Sequence, residues 1–196
     1  MSLLIGNKSL IAIESGITHA YESNHFKALG FFVIHIAGFC YGIDEPEAAM
    51  IGYALGEVKN RSVRRGTHTA PFSSETNAGE IADAIRHAIY APDQEHKHFF
   101  GIPQPEFCKL IYGNNLMWDP GDETFDDSSY VLQFDVGDRV RLIAFKANLG
   151  SGNYHHNPAT LRDLWLSADE FYGVLEQWRE EHEAEWIAAQ KLPDGN

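Results

Sequence analysis

The chain has 196 residues, 44% of them hydrophobic and 22% charged, which suits one folded domain with a sizeable core and excludes intrinsic disorder. Its 28 Asp and Glu against 15 Lys and Arg give a formal net charge of −13 at pH 7, which excludes nucleic acid and anionic membrane as partners and favours basic ones. With only 2 cysteines, Cys40 and Cys108, far apart in the sequence, no disulfide framework is expected, and they read as buried free thiols in a reducing compartment.

Leu3 to Glu14 reads as strand around a turn at Gly6-Asn7. The apolar start lacks a basic n-region and a small-residue cleavage site, and no run reaches transmembrane length, so the expected location is cytoplasmic. His19 to Lys27 reads as a polar connection. Gly30 to Tyr41 (GFFVIHIAGFCY) is continuously apolar and predicts one central strand covered on both faces. His35 within it is expected to be a hydrogen-bonded sheet residue.

Asp44 as N-cap, Pro46 in the first turn, and Glu45 and Glu47 at the positive end of the dipole predict a helix to about Lys59. Its apolar stripe is Ala49, Met50, Tyr53, Ala54 and Val58. The spacing of Gly52 and Gly56 allows close approach to a neighbour, which together with the apolar strand leaves a homodimer open. Asn60 to Ser74 reads as a solvated loop whose Arg61, Arg64 and Arg65 pair with the protein's own carboxylates. Thr76 to Tyr90 predicts an amphipathic helix ended by Ala91-Pro92-Asp93. Gln94 to Gln104 reads as loop, and Pro105 to Tyr112 as a short helix capped by Gly113-Asn114.

Strands are predicted at Tyr130 to Val136 and Arg139 to Lys146, then a mobile loop over Asn148 to Pro158 and a last strand at Leu161 to Leu166. Ser167, with Glu170 three residues on, is a capping box opening a helix over about Ala168 to Ala189, with Phe171, Val174, Leu175 and Trp178 on its apolar face. Leu192 to Asn196 is expected to fray. Strands and helices mix without the alternation of a doubly wound fold. The expected class is therefore a single α+β domain over residues 1–196, with a mostly antiparallel sheet, several helices and a long C-terminal helix.

Of the 10 histidines, His96 and His98 form an HxH pair and His155-His156 sit in the Gly/Asn-rich loop. Two such pairs could complete a zinc site, and this defines the competing function, a metal-dependent hydrolase using the histidine-rich loops. No GxSxG, phosphate loop, dinucleotide fingerprint, HExxH or CxxC occurs, and neither cysteine sits in a nucleophile motif. No catalytic or metal-binding residue is assigned on this basis.

The densest feature is Trp118 to Lys146, WDPGDETFDDSSYVLQFDVGDRVRLIAFK. It opens with Asp119, Asp122, Glu123, Asp126 and Asp127 and has no basic residue before Arg139. The acids miss the ligand spacing and central glycine of an EF-hand loop. Charge for steering beside Trp118, Phe125 and Tyr130 for anchoring suits a recognition surface. The competing local reading has Trp118 and Phe125 packing under the loop while the acids cap backbone amides. The expected partner-binding residues are Trp118, Asp122, Glu123, Asp126 and Asp127.

Several segments resemble the bacterial immunity protein 42 family: Ile5-Gly6-Asn7 with Ala12-Ile13-Glu14, the Gly30 to Tyr41 strand, the closing strand and helix with Phe171 and Trp178, and above all Trp118 to Lys146. The stretch from Asn60 to Gln104 shows no family-like pattern. The resemblance implies an inhibitor without enzymatic activity or cofactor that binds a cognate toxin. The acidity of this chain leads us to expect that toxin to be basic.

Overall fold

The first elements form a hairpin. β1 (Ser2–Gly6) and β2 (Ile11–Ala20) pair antiparallel, so the turn expected at Gly6-Asn7 is present, with the second strand running on to Ala20. The computed structural model describes residues 2–22, 27–92, 96–148, 150 and 152–190. The connection expected over His19 to Lys27 lies partly outside these, and the fraying expected over 192–196 falls wholly outside them.

The apolar run at Gly30 to Tyr41 is two strands rather than one. β3 (Ala28–Ile36) turns back at Ala37 and Gly38, whose φ of 48° and 78° are left-handed, into β4 (Phe39–Tyr41). Two successive positive-φ residues match the twist of a tight hairpin. A short β5 (Ala49–Met50) also pairs with β3, so that strand is central, as expected.

That pairing relocates the first helix. α1 spans Ile51–Val63 rather than Glu45 to Lys59, because residues 49–50 are held extended against Leu29 and Gly30. Met50 occupies the N-cap position in place of Asp44 and gives no side-chain cap; its amide donates to Asp122 Oδ2 at 2.9 Å. The helix therefore includes Arg61, which is fully buried rather than on a solvated loop.

α2 (Ala78–Tyr90) is capped by Asn77, whose Oδ1 accepts from the amides of Gly79 and Glu80. Within the stretch read as loop, β6 (His98–Phe99) and β7 (Ile102–Pro103) form a small hairpin leading into α3 (Gln104–Gly113). β8 (Ser129–Val136), β9 (Arg139–Lys146) and β10 (Arg162–Ser167) make a three-stranded sheet of order β10-β9-β8, matching the predicted strands within a residue. α4 (Ala168–Ala189) begins at the expected capping box, with Ser167 Oγ accepting from the Glu170 amide and Glu170 Oε2 accepting from the Ser167 amide.

All strand pairings are antiparallel, and the chain is α+β with a long C-terminal helix. The β8–β9 hairpin is buried on both faces, which explains its nearly continuous apolar sequence. Val131, Leu142 and Ala144 join Ile13, Phe32, Ile34, Phe171 and Trp178 in one core. Leu132, Phe134, Ile143 and Phe145 join Ile81, Ile85, Phe107 and Ile111 in the other. Each of the valine, leucine, isoleucine and phenylalanine side chains contributes about 1.5–3 kcal/mol by leaving water.

Candidate functional site

The acidic loop is anchored from beneath. The segment entering it lies against β8, with the Gln133 amide donating to Leu116 O and the Trp118 amide to Val131 O, each at 2.8 Å. Trp118 is 3% exposed, and its ring lies 4.4 Å from the Arg61 guanidinium carbon. Arg61 in turn donates to the carbonyls of Asn115 and Met117, to Gln133 Oε1 and to Glu57. Burial, the larger effect, pushes the Arg61 pKa down to about 10 against the attraction of Glu57.

The buried network continues through Gln133. Its amide donates to the Tyr172 hydroxyl, which donates to Asp135, and Asp135 Oδ2 accepts from the amides of Gly66 and His68. The other two arginines of the basic cluster are also engaged, Arg64 with Gly113 O and Arg65 with Asp169, so Arg61 and Arg65 do pair with the protein's own carboxylates.

Within the loop the acids divide by position. Asp122 Oδ1 accepts from the Thr124 amide at 3.0 Å while Oδ2 takes Met50. Asp127 Oδ1 accepts from the Ser129 amide at 3.0 Å and Oδ2 accepts from Lys146 Nζ at 2.5 Å. Both are half-buried. Residues 123–125 form a 3-10 turn that puts Thr124 inside and Glu123 outside, with Phe125 partly buried against the core. Glu123 and Asp126 are exposed; so is Asp119, whose Oδ1 accepts from the Gly121 amide.

A second acidic segment, invisible as such in the sequence, docks beside the first. Ile43 N donates to Thr124 O at 3.0 Å, Gly42 N donates to Ser129 Oγ at 3.1 Å, and Met50 N reaches Asp122. Gly42 has φ 109°, and a Cβ there would sit 3.1 Å from Phe32 O and 3.2 Å from Thr124 O, so both conformation and close approach call for glycine. Between these bonds Asp44, Glu45 and Glu47 are exposed. The sequence assigned these three to a helix start; the only signal against that was the strand pairing that follows them. The result is a hydrogen-bonded pair of segments carrying six exposed carboxylates, Asp44, Glu45, Glu47, Asp119, Glu123 and Asp126.

The histidine pairs have different surroundings. His98 is exposed in β6. His155 and His156 both face Asp83, Nδ1 to the carboxylate at 2.8 and 2.7 Å, and the His156 amide adds a third bond. Burial raises the Asp83 pKa, but these bonds together hold it below the ordinary carboxylate value. The Asp83 contacts and the Ala147–His156 bridge fix part of the loop expected to be mobile, and residues 149 and 151 lie outside the described ones. Among the described residues no group of three or more His, Cys, Asp or Glu is placed to hold a metal ion. His35 Nε2 lies 2.9 Å from Glu14 Oε2, the hydrogen-bonded sheet role expected of it. Cys40 and Cys108 are free, and burial raises both thiol pKa values.

Fold and surface together define an α+β protein with exposed carboxylates gathered on loops beside its sheets. The chain belongs to the Immunity protein 42 family, whose model matches residues 1–181. Family membership implies an immunity role against a toxin. In fold it is similar to the crystal structure of CdiI from Burkholderia dolosa AUO158, with a TM-score of 0.55 at 15% identity, covering 91% of this chain and 99% of that one. A search of curated proteins finds no match. No helix among the described residues is long and apolar enough to cross a membrane.

Proposed function

We propose that this chain, acting as a single domain over residues 1–196, binds a basic cognate toxin in the cytoplasm through the paired acidic loops and blocks it without catalysis or cofactor. Glu123 and Asp126, with Asp44, Glu45, Glu47 and Asp119, form the contact surface. Trp118, Asp122 and Asp127 serve it from beneath, by fixing the backbone on which the others stand. The observation that carries this reading is the docking of residues 42–50 onto residues 122–129, which concentrates exposed carboxylates drawn from two distant parts of the sequence. Carboxylates on an ordered backbone steer a basic partner and lose little freedom when it binds.

The test pairs the protein with the purified product of the neighbouring gene. Co-expression is expected to abolish that product's toxicity. Charge reversal at Glu123→Lys with Asp126→Lys is expected to slow association about tenfold at low salt and flatten its salt dependence. An unchanged association rate removes the acidic face from the interface, and a harmless, non-binding neighbour removes the immunity pairing itself.

A further inference from the structure

Beside the open edge of β10 stands an arginine that takes no part in the hydrogen bonding of the described residues. β10 is the last strand on its side of the three-stranded sheet. Between it and the start of α2 lies an open groove of about 590 Å³, with Glu75, Arg139, Arg141, Asp163 and Trp165 in its wall. Arg141 is buried and engaged. Its Nε and Nη2 donate to the Asp163 oxygens at 2.8 Å, and Nη1 donates to the carbonyls of Ser74 and Thr76 at 2.9 Å. Asp163 is thereby neutralised.

Arg139 is different. It is exposed, and its guanidinium carbon lies 4.6 Å from the centre of the Trp165 ring, with that of Arg141 5.5 Å from the same ring. Every other arginine of the chain donates a hydrogen bond within the protein. Among the described residues Arg139 donates none and forms no ion pair. It is rooted on β9, yet its charge lies over β10, because the side chain reaches across to Trp165. A guanidinium stacked on an indole keeps its N–H edge free for an acceptor.

The backbone of β10 beside this charge is also unused. The Ala168 amide donates to Asp138 O, one step beyond the Ser167–Arg139 pair of the β9–β10 register. Bonded and non-bonded pairs alternate in an antiparallel ladder. Leu164 and Leu166 therefore bond to β9, while the N–H and C=O groups of Asp163 and Trp165 point away from it. The other side of β9 agrees: the Ala147 amide donates to Ser128 O, which leaves the even-numbered residues of β9 for β10. Among the described residues no hydrogen bond reaches the outward groups of Asp163 and Trp165. An open edge is a template for a further strand, and β10 carries neither a proline nor a bulge to blunt it.

We propose that an extended segment of the bound toxin adds to the outer edge of β10 and sets an aspartate or glutamate side chain on Arg139 above Trp165. The proposal rests on the immunity reading but not on the acidic face. The strand edge calls for polypeptide, and the unpaired guanidinium calls for a carboxylate. A side chain on the groove face of an added strand stands beside Trp165 across about 5 Å, within reach of the guanidinium over that ring. Glu75 supplies an opposing charge. It is exposed in the same groove, and its carboxylate accepts no hydrogen bond from the described residues. It disfavours a carboxylate nearby, which gives the test a second sign. Acidic residues are few on a basic partner, so a seat that demands one adds selectivity to the attraction of the acidic loops.

The experiment uses the full chain and the purified product of the neighbouring gene. Association and dissociation rates are measured for Arg139→Gln, Glu75→Gln and the Glu123→Lys/Asp126→Lys double variant. Amide hydrogen exchange is followed by NMR with and without the toxin. Arg139→Gln is expected to dissociate about tenfold faster and Glu75→Gln about twofold slower, because losing the cation and losing the anion act oppositely on a bound carboxylate. Both variants should keep the wild-type Tm, since neither side chain bonds within the described fold. The Asp163 and Trp165 amides are expected to exchange freely in the chain alone and to be protected in the complex. If the toxin binds and these amides stay unprotected, or Arg139→Gln dissociates like wild type, the proposal is overturned; the acidic face still stands if the double variant slows association. Slower dissociation of Arg139→Gln with faster dissociation of Glu75→Gln assigns the groove to a basic side chain and likewise overturns it. Protection of both amides in the toxin-free chain, rising with its concentration, gives the edge to a second copy, with the same consequence. A neighbour that is harmless and does not bind removes the immunity pairing, and the proposal with it.

Discussion

Replacing Arg61 by methionine tests whether the loop surface depends on a buried charge beneath it. The guanidinium is fully buried and serves Glu57, the carbonyls of Asn115 and Met117, and Gln133 Oε1, with Trp118 on its face. Burial lowers its pKa to about 10, which still leaves it charged at pH 7. Its desolvation offsets much of what its partners return, so the pair as a whole is a weak source of stability. Removing one member is different. Glu57, with a side chain only 10% exposed, then loses its counter-charge, and three acceptors, one buried and two part-buried, lose their donor.

The expected loss is about 3–5 kcal/mol, the usual effect of breaking a buried pair. Against a total stability of about 5–15 kcal/mol, that is large enough to resolve easily by urea unfolding followed through tryptophan fluorescence. Arg61→Lys should cost nearly as much, because one ammonium cannot reproduce a planar fork reaching several acceptors. Adding Glu57→Leu to Arg61→Met should recover part of the loss by removing the stranded carboxylate. A loss below about 1 kcal/mol for Arg61→Met would refute the account, since it would mean that the acceptors are satisfied without the guanidinium.

Two further outcomes follow from groups away from the loop. His182 is fully buried with its ring stacked 5.1 Å from Trp178, and burial first, then the charge of Lys27, lowers its pKa from 6.5 to about 4. A depressed histidine contributes stability fully above its unfolded pKa and loses it as pH falls from 6.5 towards 4, by about 3 kcal/mol in all. His182→Phe should flatten that stretch of a plot of unfolding midpoint against pH, and an unchanged slope would contradict the assignment. Ser167→Ala removes the N-cap of α4 and should cost about 1 kcal/mol, read as a drop in Tm, with no drop expected if the capping box contributes nothing.

The parts of the fold that could be read from sequence are those fixed by local chemistry. Ser167 and Glu170 cap the same helix end in any context that lets the helix form, and the nearly continuous apolar run of 130–146 is the pattern of strands buried on two faces. Arg61 could not be placed this way. Its helix starts late because residues 49–50 pair with β3, and its acceptors come from residues 115, 117 and 133. The acidic loop shows the same limit at the proposed binding surface. Asp122, Glu123, Asp126 and Asp127 are equivalent in composition, yet Asp122 and Asp127 accept from Met50, Thr124, Ser129 and Lys146, while Glu123 and Asp126 face outward. The tight turn between them produces this division. It bends the backbone so that the flanking acids reach amides in the fold, and the same bend lifts the intervening ones away from it. The inward pair therefore makes the outward pair a surface of fixed shape. Asp122→Ala should accordingly disturb toxin binding through the position of Glu123 and of the 44–47 segment, although the half-buried Asp122 makes its hydrogen bonds within the protein itself.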